Sequence, residues 1–113
     1  MIVNIGNNEF IVKTMVSPSF TQMGMQGRTF DDTFDGMLFL MDDEEHNFWM
    51  KNCVTNLDII FIRAKKISKI YHNCPPCEKE PCEYYSGKGD LVLELPGGTC
   101  KKLNIKEADK ITF

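Results

Sequence analysis

Lys51, Asp58 and Glu94 are charged residues set inside strand-like words of this chain, and chemistry would be sought there first. Lys51 belongs to Phe48-Trp49-Met50-Lys51-Asn52, which holds the only tryptophan. Asp58 stands inside Leu57-Asp58-Ile59-Ile60-Phe61-Ile62, and Glu94 inside Leu91-Val92-Leu93-Glu94-Leu95. A buried carboxylate is costly unless something pairs with it, and Lys51 is the nearest cation upstream of Asp58. A lysine–carboxylate pair that satisfies buried charge is therefore expected, and breaking it would cost about 3–5 kcal/mol. The same residues, read as a site, would clamp an anionic group on Lys51 with a carboxylate orienting it. Strand alternation puts Lys51 on the face of Trp49, not of Met50.

Trp49, Lys51, Asn52 and Glu94, with Asp58, are the ligand-binding candidates. The first four are expected to converge near Pro96-Gly97-Gly98, where little side-chain bulk blocks a ligand. The plainer readings stand beside this one. Trp49 is read as a core residue whose indole N–H needs an acceptor. Asn52 is read as a strand-end residue that bonds its own backbone.

Five cysteines leave at least one thiol outside any intramolecular set. His72, Cys74, Cys77 and Cys82 supply four possible tetrahedral zinc ligands. They lie within eleven positions, whereas structural zinc sites place their second pair on a separate segment. A Cys77–Cys82 disulfide would tie off a small surface loop, with a modest effect because the closed loop is short. A redox pair Cys74–Cys77 would need a helix that Pro75-Pro76 forbids. The order of preference is the disulfide-capable loop, free thiols, then zinc. Cys53 follows Lys51 by two positions, which would lower its pKa; the alternative is a small apolar filler.

The rest of the chain bounds these options. With 113 residues it forms one domain, 1–113, that buries roughly two-thirds of its unfolded surface. A net charge of −3 and a pI near 5.3 argue against nucleic acid as a partner. No apolar stretch nears the ~20 residues of a membrane helix, and no signal peptide is visible, so a cytoplasmic protein is expected. No serine occupies a nucleophile elbow, and Gly87-Lys88-Gly89 precedes a strand rather than a helix, so no cofactor is expected. Asp31, Asp32 and Asp35, and Asp42 to Glu45, lack calcium-loop spacing and read as solvated turns.

The elements that must position the candidates are mostly strands. Ile2 to Ile5 and Glu9 to Lys13 would pair across an Asn7-Asn8 turn. Ser17-Pro18 starts a short helix carrying Phe20 and Met23 inward and stopping near Gly24 or Gly27. Asp31 to Asp35 is a loop. Gly36 to Met41 and His46 to Met50 form antiparallel neighbours across a turn at Asp42 to Glu45, with His46 facing solvent. Leu57 to Ile62, apolar without alternation, reads as a strand buried on both faces. It pairs with Ile67 to Tyr71 across Arg63-Ala64-Lys65-Lys66. Asn73 to Ser86 is an excursion without periodicity. Asp90 to Leu95 is a strand, Thr99 to Leu103 a helical turn closed by Asn104, and Lys110 to Phe113 a terminal strand.

Six words taken in order resemble the domain-of-unknown-function 192 family, small mainly β proteins. They are Gly24-Met25-Gln26-x-Arg28, Gly36-Met37-Leu38-Phe39, Phe48 to Asn52, Leu57 to Ile62, Pro76-Cys77 to Pro81-Cys82, and Leu93-Glu94-Leu95-Pro96-Gly97. The resemblance runs from about Ser17 to Phe113. Cys53 and Asn56 stand where the family often has threonine and proline, Gln26 where it often has methionine, and Ala108 where it often has glycine. The resemblance implies architecture and candidate positions, and no agreed activity. Many relatives look exported; this chain keeps their Pro-Cys words.

The expected fold is mainly β, at the margin of α+β: a single compact sandwich or partly closed barrel with one short helix and one helical turn. The expected function is a non-catalytic binding or accessory domain for an unknown small molecule or partner protein, monomeric or weakly homo-oligomeric. The alternative is a small enzyme using Lys51 with Asp58 or Glu94 as acid, base or anion clamp.

Overall fold

The computed structural model describes residues 1–16 and 25–113. The helix expected from Ser17 lies outside the described residues. Seven strands occur in chain order: β1 (Ile2–Ile5), β2 (Asn8–Met15), β3 (Gly36–Trp49), β4 (Leu57–Arg63), β5 (Lys66–Cys74), β6 (Tyr84–Pro96) and β7 (Ile111–Thr112). One helical turn, α1 (Thr99–Lys102), lies between β6 and β7. The strands form one sheet in the order β5-β4-β6-β3-β2-β1-β7.

The sheet curls until its two edges touch. Lys66 bridges Lys110, Ile67 donates its N–H to the Asp109 carbonyl, and Ile111 donates to Lys65. This is a half-barrel, and it satisfies edge groups that an open sheet would leave bare. Its concave side holds Val3, Ile5, Leu38, Ile60, Ile62, Leu93, Leu95, Cys100 and Ile111 among other buried side chains. The other side carries a second core with Met25, Met37, Phe39, Phe48, Met50, Ile59, Phe61, Cys74 and Val92. β4 explains its own lack of alternation: Ile60 and Ile62 enter the first core, while Leu57, Ile59 and Phe61 enter the second.

Turn chemistry sets the hairpins. β1 and β2 pair with Ile5 opposite Asn8, so the turn is Gly6-Asn7, one residue earlier than the expected Asn7-Asn8. Gly6 supplies the positive φ, 60°. The β4–β5 turn is tighter than expected: Arg63 pairs with Lys66, and Ala64 and Lys65 both have positive φ, as a type I′ turn requires. α1 ends as its sequence requires, with Asn104 at φ 57°.

Two expected elements are corrected. Gly36 to Met41 and His46 to Met50 are not a hairpin; they are one strand, β3, running antiparallel to β6 with an irregularity between Leu40 and Glu44. The acidic residues Asp42 to Glu45 lie within the strand, exposed, beyond the point where β2 stops pairing at Phe39. Charged side chains on an unpaired edge are compatible with strand geometry, and Asp43 finds Arg63 on β4 at 3.1 Å. His46 is half-buried rather than solvent-facing, its Nε2 2.8 Å from the Asp42 carbonyl. The excursion is also shorter than expected, because β5 runs to Cys74 and β6 begins at Tyr84. Gly87 and Gly89 lie inside β6, where a Cβ on Gly87 would come within 2.6 Å of the Phe61 ring.

Candidate functional site

Asp58 is fully buried, as its strand word requires, but its partner is not Lys51. Asn73 donates a main-chain N–H to Oδ1 at 2.7 Å, Gly98 donates to Oδ1 at 3.0 Å, and Cys100 donates to Oδ2 at 2.8 Å. The carboxylate ties the end of β5 to the entry of α1. Charge-assisted bonds of this kind replace water without any cation. Burial, with the Asp58 charge added, pushes the Cys100 thiol up.

Lys51 is engaged elsewhere. Its Nζ lies 2.5 Å from Glu80 Oε1 and 5.1 Å from the centroid of the Trp49 ring. Trp49 stacks on Tyr84, its cross-strand partner, with centroids 5.7 Å apart and planes 7° from parallel. The sequence reading of Trp49 as a core residue is corrected: Phe48 and Met50 fill the core, and alternation leaves Trp49 half-buried on the other face. Its indole N–H is buried without an acceptor among the described residues. Asn52, next along, is exposed with φ 60°, and its carbonyl accepts the Gly27 N–H.

Glu94 is separate from this group. Ile59 pairs with Glu94 and Asp58 with Leu95 across β4 and β6, so the two buried carboxylates project to opposite faces of the sheet. Glu94 sits between Met37 and Ile59 in the second core, 4% exposed. Burial alone raises its pKa to about 8. The expected convergence of Trp49, Lys51, Asn52 and Glu94 is thus not what the fold builds: Trp49 and Lys51 meet, and Glu94 faces the other core. The enzyme pairing of Lys51 with Asp58 or Glu94 loses its geometry for the same reason.

The cysteines are settled by position. Cys77 and Cys82 are bonded to each other, with Cα atoms 5.7 Å apart, and close a loop containing Glu80. Two bonded sulfurs offer no thiolates, and among the described residues no three of the possible His, Cys, Asp or Glu ligands gather around a common point, so the His72, Cys74, Cys77, Cys82 zinc set is not assembled. Cys74 is a buried free thiol raised to about 12, chiefly by burial. Cys53 is raised to about 11, by burial first and then by the Glu94 charge. Of the two readings of Cys53, activation by Lys51 does not fit, because a thiol held so high stays protonated at neutral pH.

A cavity of about 150 Å³ opens beside the disulfide, lined by Met50, Pro75, Pro76, Cys77, Glu83 and Tyr85. Larger cavities lie elsewhere. One of about 450 Å³ is lined by Phe10, Phe30, Phe34 and Pro96 with Glu9, Asp31, Asp32 and Asp35. Another, of about 320 Å³, lies between β5 and α1, where it touches Ile70, Cys100 and Ile105. Sequence reasoning missed Glu80 and Tyr84. Glu80 lies between the two cysteines of the proposed loop, which was a usable signal; the Trp49–Tyr84 register was not readable locally.

Among the described residues, a curled sheet of seven strands with a core on each side, one helical turn and an aromatic–lysine surface define a small mainly β domain of the half-barrel kind. The chain belongs to the DUF192 family, described as an uncharacterised ACR, whose model matches residues 1–113. It is similar to a protein of unknown function from Novosphingobium aromaticivorans DSM 12444, with 30% identity, a TM-score of 0.86, and coverage of 99% of this chain and 84% of that one. It is also similar to a protein from Sinorhizobium meliloti 1021 described as a candidate transcription regulator, with 27% identity, a TM-score of 0.85, and coverage of 98% and 89%. No curated protein shows significant similarity to the chain. Among the described residues no helix is long and apolar enough to cross a membrane.

Proposed function

We propose that this domain is a non-catalytic binding module whose recognition surface is the Trp49–Tyr84 stack with Lys51 beside it. The observation that carries this reading is that a carboxylate, Glu80, already sits on Lys51 over that stack. A planar apolar platform with an ammonium over one of its rings suits a carboxylate-bearing ligand, on a small molecule or on a partner polypeptide. The negative net charge disfavours nucleic acid as the partner, despite the description of the Sinorhizobium protein. We place the domain as a monomer or weak homo-oligomer, without a membrane partner.

The compartment belongs to the same proposal. The cytoplasm expected from the sequence would keep the Cys77–Cys82 loop reduced, whereas the bonded loop suits an oxidising compartment. Amide and indole N–H chemical shifts recorded during titration with carboxylates test the binding reading. The Trp49 indole signal should move in the native protein and stay fixed in Lys51→Met. An indole signal that ignores every carboxylate rejects it.

A further inference from the structure

We propose that the Cys77–Cys82 disulfide is a latch: while it holds, it keeps Glu80 on Lys51 as a built-in occupant of the recognition surface, and its reduction frees that surface for an external carboxylate. This rests on the binding reading above and adds its regulation. The loop is pinned at both ends. Cys77 donates its N–H to the Met50 carbonyl at 3.1 Å and bridges Lys51 in parallel, and the bond to Cys82 fixes the far end. Glu80 lies between these anchors, so its carboxylate is delivered to Lys51 without a search. An exposed ion pair of this kind is weak by itself. A short tether offsets that weakness by giving Glu80 a high effective concentration at Lys51.

Unlatching needs a dithiol reductant. One of its thiolates attacks a sulfur of the Cys77–Cys82 bond, which breaks and leaves a mixed disulfide. The second thiol of the reductant then displaces the protein sulfur. Two electrons and two protons pass to the protein, giving two thiols, and the reductant leaves as its own disulfide. Cys77 and Cys82 are both partly accessible to such an attack. Cys53, Cys74 and Cys100 are free thiols whose raised pKa values keep them out of the exchange.

The single tryptophan is the reporter. Trp49 fluorescence is titrated with the peptide acetyl-Gly-Glu-Gly-amide and, separately, with acetate, in oxidised and dithiothreitol-reduced protein. The reduced protein should bind the peptide roughly three- to tenfold more tightly. Oxidised Glu80→Gln should match it with the disulfide intact, and Cys77→Ser/Cys82→Ser should match it without reductant. Because Glu80→Gln leaves the bond untouched, the test survives if the cysteine variant fails to fold. A response to the peptide alone supports a protein partner, and a response to both ligands supports small carboxylates. Equal binding in the oxidised and reduced forms overturns the latch and leaves the binding surface standing. No saturable response in any form, Glu80→Gln included, overturns the binding surface itself.

Discussion

Asp58 and Glu94 are two buried carboxylates on adjacent strands of one sheet, and their surroundings could hardly differ more. Asp58 accepts three main-chain N–H groups from two separate stretches of the chain. Glu94, on the opposite face, is held toward its protonated form by burial. Burial alone therefore does not tell a structural acid from an available one. At Asp58 main-chain donors make the difference, because a buried acceptor must be satisfied or neutralised.

The largest effect should come from removing the satisfied acid. Asp58→Ala leaves three main-chain N–H donors, one buried and two part-buried, without their acceptor, and denaturant unfolding should show a loss of roughly 3–5 kcal/mol. A midpoint near that of the native protein would mean the three donors find water, and the contrast with Glu94 would collapse.

Glu94→Gln should act in the opposite direction, and only at higher pH. The folded pKa, about 8, lies above the ordinary carboxylate value. The native state therefore holds its proton more tightly than the unfolded chain, and stability declines as pH rises from the unfolded pKa to about 8. Glutamine removes that slope. Thermal melts should show the variant more stable than the native protein at pH 8, by a few kcal/mol, and near parity at pH 4.5. Parallel pH profiles would place Glu94 in contact with water or an unseen partner.

The loop tie should matter less. Cys77→Ser/Cys82→Ser opens a short ring, worth about 2 kcal/mol by loop entropy. A loss far beyond that, in non-reducing melts, would make the loop part of the core rather than a cover for Lys51. The smallest effect should come from Lys51→Met, whose exposed pair with Glu80 contributes no more than about 1 kcal/mol. A large loss there would make Lys51 a structural residue like Asp58, and the binding surface would lose its cation.

Local chemistry was legible in the chain itself. The missing alternation of Leu57 to Ile62 announced a strand buried on both faces, and with it the burial of Asp58. Asn104, which tolerates positive φ, marked the close of α1, and alternation correctly put Lys51 on the side of Trp49. These depend on periodicity and turn preference, which act over a few residues. Tertiary structure decided what lies across distance. It chose the N–H donors of residues 73, 98 and 100 over Lys51, and placed Glu80 rather than Glu94 on that lysine. It kept β3 a single strand through four acids because β6 pairs with it on both sides of the irregularity between Leu40 and Glu44. Main-chain N–H groups are present at every non-proline position, so no residue type advertises which of them a buried carboxylate will find; only the closed sheet brings them within 3 Å.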